Sequence, residues 1–233
     1  MNALLSRSLG EKNYEKANHI ARNAAFLYFL SYLLFLVLGF TVVKPFYASQ
    51  IGGADSEIME LGIEYLSTVM IFSFGLFTQV FFERLLTSTG RTIFSMTSQL
   101  CGAVTNIILD PILIFGLLGA PKMGVTGAAV ATVIGQIIAA ILALVFNLKC
   151  NRELNISMKG FRPNGYLIVQ IYKVGAPSIV VQAIGSLMTY GMNLILAAFG
   201  SAQTVFGIYS KLQSFVFMPV SLPIITVPVI KTV

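Results

Sequence analysis

Apolar residues fill this chain in long unbroken runs, separated by short polar connectors. The runs cover residues 24–43, 65–82, 93–117, 125–148, 176–199 and 205–229. Each is close to the about 20 residues that a helix rising ~1.5 Å per residue needs to cross ~30 Å of hydrocarbon. The pattern predicts about six spanning helices. A membrane barrel is excluded by the same pattern, since its strands alternate apolar and polar positions and these runs do not. The last run holds Pro219, Pro223 and Pro228, each of which removes a backbone donor, so it is expected to be broken or only partly helical.

The connectors give the orientation. Arg7, Lys12, Lys16 and Arg22 precede the first run, Arg84 and Arg91 follow the second, and Lys149, Arg152, Lys159, Arg162 and Lys173 lie between the fourth and fifth. The opposite side carries only Lys44 and Lys122, with Asp55, Glu57, Glu60 and Glu64 clustered near it. The excess of Lys and Arg on one side places that side in the cytoplasm. The connector after the fourth run is long enough for a short helix lying along the inner membrane surface.

Composition agrees with the runs. Of 233 residues 56% are hydrophobic and 10% charged, with a mean hydropathy of +0.84. A soluble domain carries about 25% charged residues, so this is a bilayer protein. Its net charge of +6 follows from topology and is no nucleic-acid footprint. Cys101 and Cys150 lie in an apolar run and a connector, and are read as free thiols, not as a disulfide framework. The N-terminus turns from apolar to charged, the reverse of a signal peptide.

The segment "NIILDPILIFG" carries the most informative chemistry. Asp110 lies within an apolar run, four residues after Asn106 and directly before Pro111. An ionised carboxylate there costs about 2.5–3.5 kcal/mol unless something solvates it, and intramembrane acids are functional by default. Residues i and i+4 of a helix share a face, so Asn106 and Asp110 point the same way. Pro111 cannot donate to Ile107, and a kink that frees a backbone oxygen beside the pair is expected. Such oxygens suit a proton or a hard monovalent cation; the competing reading is an acid that ties two helices together.

The following run, "MGVTGAAVATVIGQIIAA", places Gly124, Ala128, Ala131, Gly135 and Ala139 at spacings of three or four, a stripe that lets another helix approach closely. Thr126, Thr132 and Gln136 add polar groups there. Glu83 and Arg84 close the second run, where an interfacial charge pair is the expected arrangement. Phe, Met and Tyr are abundant. Met188, Met192, Phe215 and Gln182 are the candidates for an adaptable surface toward lipophilic cations. The chain has no GxxxxGK[ST] loop, no HExxH and no GxSxG, and its single His19 lies outside the runs. Neither nucleotide-driven transport nor the common hydrolytic or metal chemistries has material here. The chain is read as no enzyme, with no cofactor, and uphill movement of a solute would draw on an ion gradient or on a partner outside this chain.

Four stretches, "SRSLGEKNYEKAN", "ERLLTSTGRT", "NIILDPILIFGLLGAPKMGVTGAAVATVIGQ" and "VGAPSIVVQ", stand in the order and at the spacing of the multidrug and toxic compound extrusion (MATE) family. The chain resembles that family to about Pro219, and within it the bacterial multidrug exporter branch. The resemblance implies an all-α, polytopic transmembrane helix bundle with part of a two-lobe, twelve-helix architecture. Residues 1–148 would be helices three to six of the N-terminal lobe, 149–173 a cytoplasmic inter-lobe loop, and 174–233 the truncated start of the C-terminal lobe. It implies a bacterial inner-membrane secondary antiporter that exports organic cations or other amphipathic compounds in exchange for H⁺ or Na⁺. Its partners would be those substrates, the lipid bilayer and the helices of the full-length transporter that this chain lacks, with no nucleic acid. Carried over by position, the cation site falls on Asp110, Asn106 and Thr132, with Glu83 where relatives often carry Asn. The alternatives are a lipid-linked oligosaccharide flippase or polysaccharide exporter of the same superfamily, marked by Lys173 and Lys211 in a cationic cavity, and a non-transporting membrane subunit.

Overall fold

The computed structural model describes residues 1–51, 56–151, 154, 161–197 and 205–213. Long apolar runs leave the backbone no water to bond with, so it satisfies itself within helices. The order is α1 (Asn2–Gly10), α2 (Tyr14–Thr41), α3 (Val43–Ile51), α4 (Ser56–Ile71), α5 (Phe74–Ser88), α6 (Thr92–Phe115), α7 (Gly124–Cys150) and α8 (Gly165–Ala197), with a single 3₁₀ turn at Leu117–Gly119. Residues 205–213 are also helical. No strand occurs among the described residues.

Four of these helices, α2, α6, α7 and α8, are long and apolar enough to cross a membrane. α4 and α5 pass the same test only as a pair, and they meet at a 47° bend. The sequence pattern read residues 65–82 as one span. At the break, Ser73 Oγ donates to Met70 O at 2.7 Å, taking over a backbone acceptor that the helix would otherwise use. The predicted run at 205–229 falls mostly outside the described residues, as does most of the connector after Asn151. The fifth run begins as a helix at Gly165, well before the predicted 176, because Asn164 caps it: Asn164 Oδ1 accepts from the Tyr166 N–H at 3.0 Å.

The chain divides into two compact units, Met1–Gly175 and Ala176–Val233. In the first, α7 is the central helix, with α4, α5 and α6 packed on it. Its small residues permit this. A Cβ on Gly135 would lie 2.8 Å from Gly102 O, and one on Gly127 2.6 Å from Leu113 O, so α6 and α7 meet nearly backbone to backbone. The predicted stripe is therefore used, with Gly127 in place of Gly124, next to which nothing packs. A separate core joins α1, α2, α5 and the start of α8 through Leu5, Ile20, Phe81, Leu85 and Leu167. Outward faces carry exposed Phe29, Leu33, Leu34, Val37 and Phe40 on α2, and Ile93, Met96, Leu100 and Ile107 on α6. The described part of the second unit has residues 176–197 of α8 and the helical residues 205–213.

Candidate cation site and cavity

Asp110 sits in the last third of α6, and the helix passes through Pro111 without ending; it stops at Gly116, whose φ of 73° is left-handed. The helix is therefore continuous through the proline at which a kink is expected. Proline deletes one donor, and the turns on either side hold the helix together. The shared face of Asn106 and Asp110 is present. Asn106 Nδ2 lies 3.5 Å from Asp110 Oδ1 and 3.3 Å from Thr132 Oγ1. With the amide turned over, its nitrogen donates to Asp110 Oδ2 at 3.3 Å and its oxygen accepts from the Thr132 N–H at 3.2 Å. In either orientation Asn106 links the acid on α6 to Thr132 on α7. The Thr132 hydroxyl donates to Ala128 O at 2.9 Å, so its oxygen keeps lone pairs to offer. Three oxygen-bearing side chains thereby meet where glycines bring the helices closest.

Glu83 departs from the expected interfacial pair with Arg84. Arg84 is exposed, whereas Glu83 is 6% exposed. Neutral donors hold its carboxylate: Gln79 Nε2 at 2.9 Å from Oε1 and Gln99 Nε2 at 2.8 Å from Oε2, with the Ser98 hydroxyl, which donates to Ser95 O at 2.8 Å, lying 3.4 Å from Oε1. Burial of an acid demands such partners, and the amides of α5 and α6 supply them.

A cavity of about 520 Å³ between α5, α6 and α7 reaches from Glu83 to Asn106 and Thr132, while Asp110 does not line it. Gln79, Glu83, Gln99, Asn106, Thr132 and Gln136 all line it. Gln136 Oε1 is buried and accepts no hydrogen bond. In the sequence Gln136 stands out only as a polar group, and Gln79, Ser98 and Gln99 do not stand out at all. The signal was there: Ser95, Gln99, Gly102, Asn106 and Asp110 recur at intervals of three and four, a polar and small stripe down one face of α6.

The candidates for substrate contact are not gathered into one site. Gln182 lines an open cleft along α8 with Ser178, Ser186, Thr189 and Asn193. Met188 is exposed and Met192 half-buried, and Phe215 lies outside the described residues. Lys173 belongs to a different, basic cleft, and Lys211 is exposed.

With this geometry in hand, the comparisons decide the family. The MatE family model matches residues 1–112. A multidrug export protein of Staphylococcus haemolyticus is 32% identical over 220 residues, covering 91% of this chain and 46% of that protein. The chain belongs to the MATE family. A Staphylococcus aureus multidrug export protein is 31% identical with the same coverages. A solved inward-facing conformation of a multidrug resistance MATE family transporter superposes with a TM-score of 0.75 at 26% identity, covering 94% of this chain and 49% of that one. The chain spans about half the length of the relatives it matches. Like other MATE proteins of bacteria, it is a multi-pass protein of the inner membrane.

Proposed function

We propose that this MATE chain is part of a secondary antiporter that exports small amphipathic or cationic compounds in exchange for H⁺ or Na⁺. Residues 1–148 then belong to the N-terminal lobe, 149–173 to the inter-lobe connection and 174–233 to the start of the C-terminal lobe. The observation that carries this reading is the linkage of Asp110, Asn106 and Thr132 across the tightest helix crossing, beside a polar cavity that Glu83 also lines. The partners of Asp110 are neutral, and the Thr132 oxygen keeps lone pairs to offer. Asp110 takes the ion, Asn106 holds its carboxylate in register with α7, and Thr132 contributes a neutral oxygen. Glu83 takes or passes an ion at the other end of the cavity. Loading Asp110 removes its net charge and so changes the relative stability of outward- and inward-open arrangements, the differential interaction a switch requires. Gln182, Met188, Met192 and Phe215 are assigned to substrate contact.

Efflux of a fluorescent organic cation from cells expressing the protein tests the reading. Imposing a proton gradient or a sodium gradient should accelerate efflux, and the effective gradient names the coupling ion. Efflux that ignores both gradients would exclude ion exchange.

A further inference from the structure

The chain has a second built cleft, remote in sequence from the acids. About 350 Å³ in volume, it opens among α1, α2 and α8. Three cationic side chains line it, Arg7, Lys16 and Lys173, and no carboxylate does. We propose that this cleft binds the phosphodiester headgroup of an anionic phospholipid in the cytoplasmic leaflet.

The floor of the cleft is fixed by packing. Leu5, Ala17 and Leu167 are buried beneath it, with Leu4 and Ile171 packed against them, so residues from three helices are held facing one space. Along α8, Gln170, Lys173 and Val174 fall at i, i+3 and i+4, and along α1 Leu4, Arg7 and Ser8 do the same. Such spacing puts each trio on one face. Glu11 faces both Arg7 and Lys16. It takes Arg7 Nε at 2.9 Å, which leaves the terminal guanidinium nitrogens for another anion. Among the described residues neither Lys16 nor Lys173 makes an ion pair.

The depth of the cleft and its apolar wall select lipid over free phosphate. The apolar run of α2 starts after Arg22 and that of α8 near Val174, so Lys16 and Lys173 lie where headgroups end and acyl chains begin. The excess of basic residues on this side places it in the cytoplasm. Basic pockets between membrane helices on that side suit anionic headgroups. Leu4 and Val174 would meet the glycerol and first acyl carbons, which free phosphate lacks. The Ser8 hydroxyl and Gln170 amide can donate to phosphate oxygens. This proposal is independent of the ion assigned to Asp110.

Native mass spectrometry of the purified protein in detergent tests it, with phosphatidylglycerol, phosphatidylethanolamine and inorganic phosphate as probes. Phosphatidylglycerol should be retained at least about fivefold over phosphatidylethanolamine, and the combined variant Arg7→Gln, Lys16→Gln, Lys173→Gln should lower its retention by at least about fivefold. The charge-conserving variant Arg7→Lys, Lys16→Arg, Lys173→Arg should keep it, as should Lys44→Gln, Lys122→Gln, Lys149→Gln, with circular dichroism reporting helix content throughout. Unchanged retention in the cleft variant, or equal loss in the distant lysine variant, overturns the site. Displacement of the lipid by equimolar inorganic phosphate overturns the lipid assignment in favour of a soluble anion.

Discussion

A carboxylate inside a membrane helix must be met by something, and at Asp110 that something is the Asn106 amide at 3.5 Å, or 3.3 Å with the amide turned over. A hydrogen bond to a charged group is worth about 1.5–3 kcal/mol. Asn106→Leu keeps the volume but removes the donor, so ion-driven efflux should fall at least about tenfold, the kinetic equivalent of 1.4 kcal/mol, with protein amount in the membrane checked alongside. Thr132→Val keeps shape and removes one oxygen. It should weaken sodium coupling more than proton coupling, because a hard cation needs several oxygen ligands; parallel assays under each gradient would show a difference in slope. The pairing of Asn106 with Asp110 was legible in the sequence, because i, i+4 spacing fixes it. The environment of Glu83 was not. Its position at the end of an apolar run suggested an interfacial charge, and only the approach of α6 reveals that Gln99 and Ser98 enclose it.

At the scale of elements, α7 holds the first unit together because it lacks bulk where others cross it. A Cβ on Gly102 would lie 2.8 Å from Ala139 Cβ and 2.9 Å from Gly135 O. Gly102→Val should force α6 away from α7 and cost about 1–3 kcal/mol by overpacking, visible as a lower melting temperature in detergent. Such a variant should also lose coupling, since Asn106 would no longer reach Thr132. A second clamp fastens the cytoplasmic ends. Asn147 Nδ2 donates to Phe82 O on α5 at 2.9 Å, and Asn151 Nδ2 to Asn147 Oδ1 at 3.0 Å. Asn147→Leu leaves the Phe82 carbonyl without that donor and should cost about 1–3 kcal/mol, read in the same melting assay. The long helices and the small-residue stripe were legible from period and run length. The 47° break between α4 and α5 was not, because no proline or polar run marks it. Pro111, where a kink is expected, lies inside one continuous helix.

For the whole molecule, the distribution of Arg and Lys sets which ends face the cytoplasm, and the two thiols offer a direct reading. Cys150 ends α7 beside Lys149, while Cys101 is exposed on the apolar outer face of α6. A membrane-impermeant maleimide should label Cys150 in inside-out vesicles and spare it in right-side-out ones, and should leave Cys101 unmodified in both. Reversed labelling of Cys150 would invert the topology and move the basic cleft to the other leaflet. The account as a whole depends on Asp110 exchanging an ion as the transporter changes its opening. The most direct measurement is gradient-driven efflux of a fluorescent cation by Asp110→Asn, compared with the unsubstituted protein at equal membrane abundance. Loss of gradient dependence, with the protein still folded, is the predicted result; efflux that follows the gradient as steeply as before would contradict it.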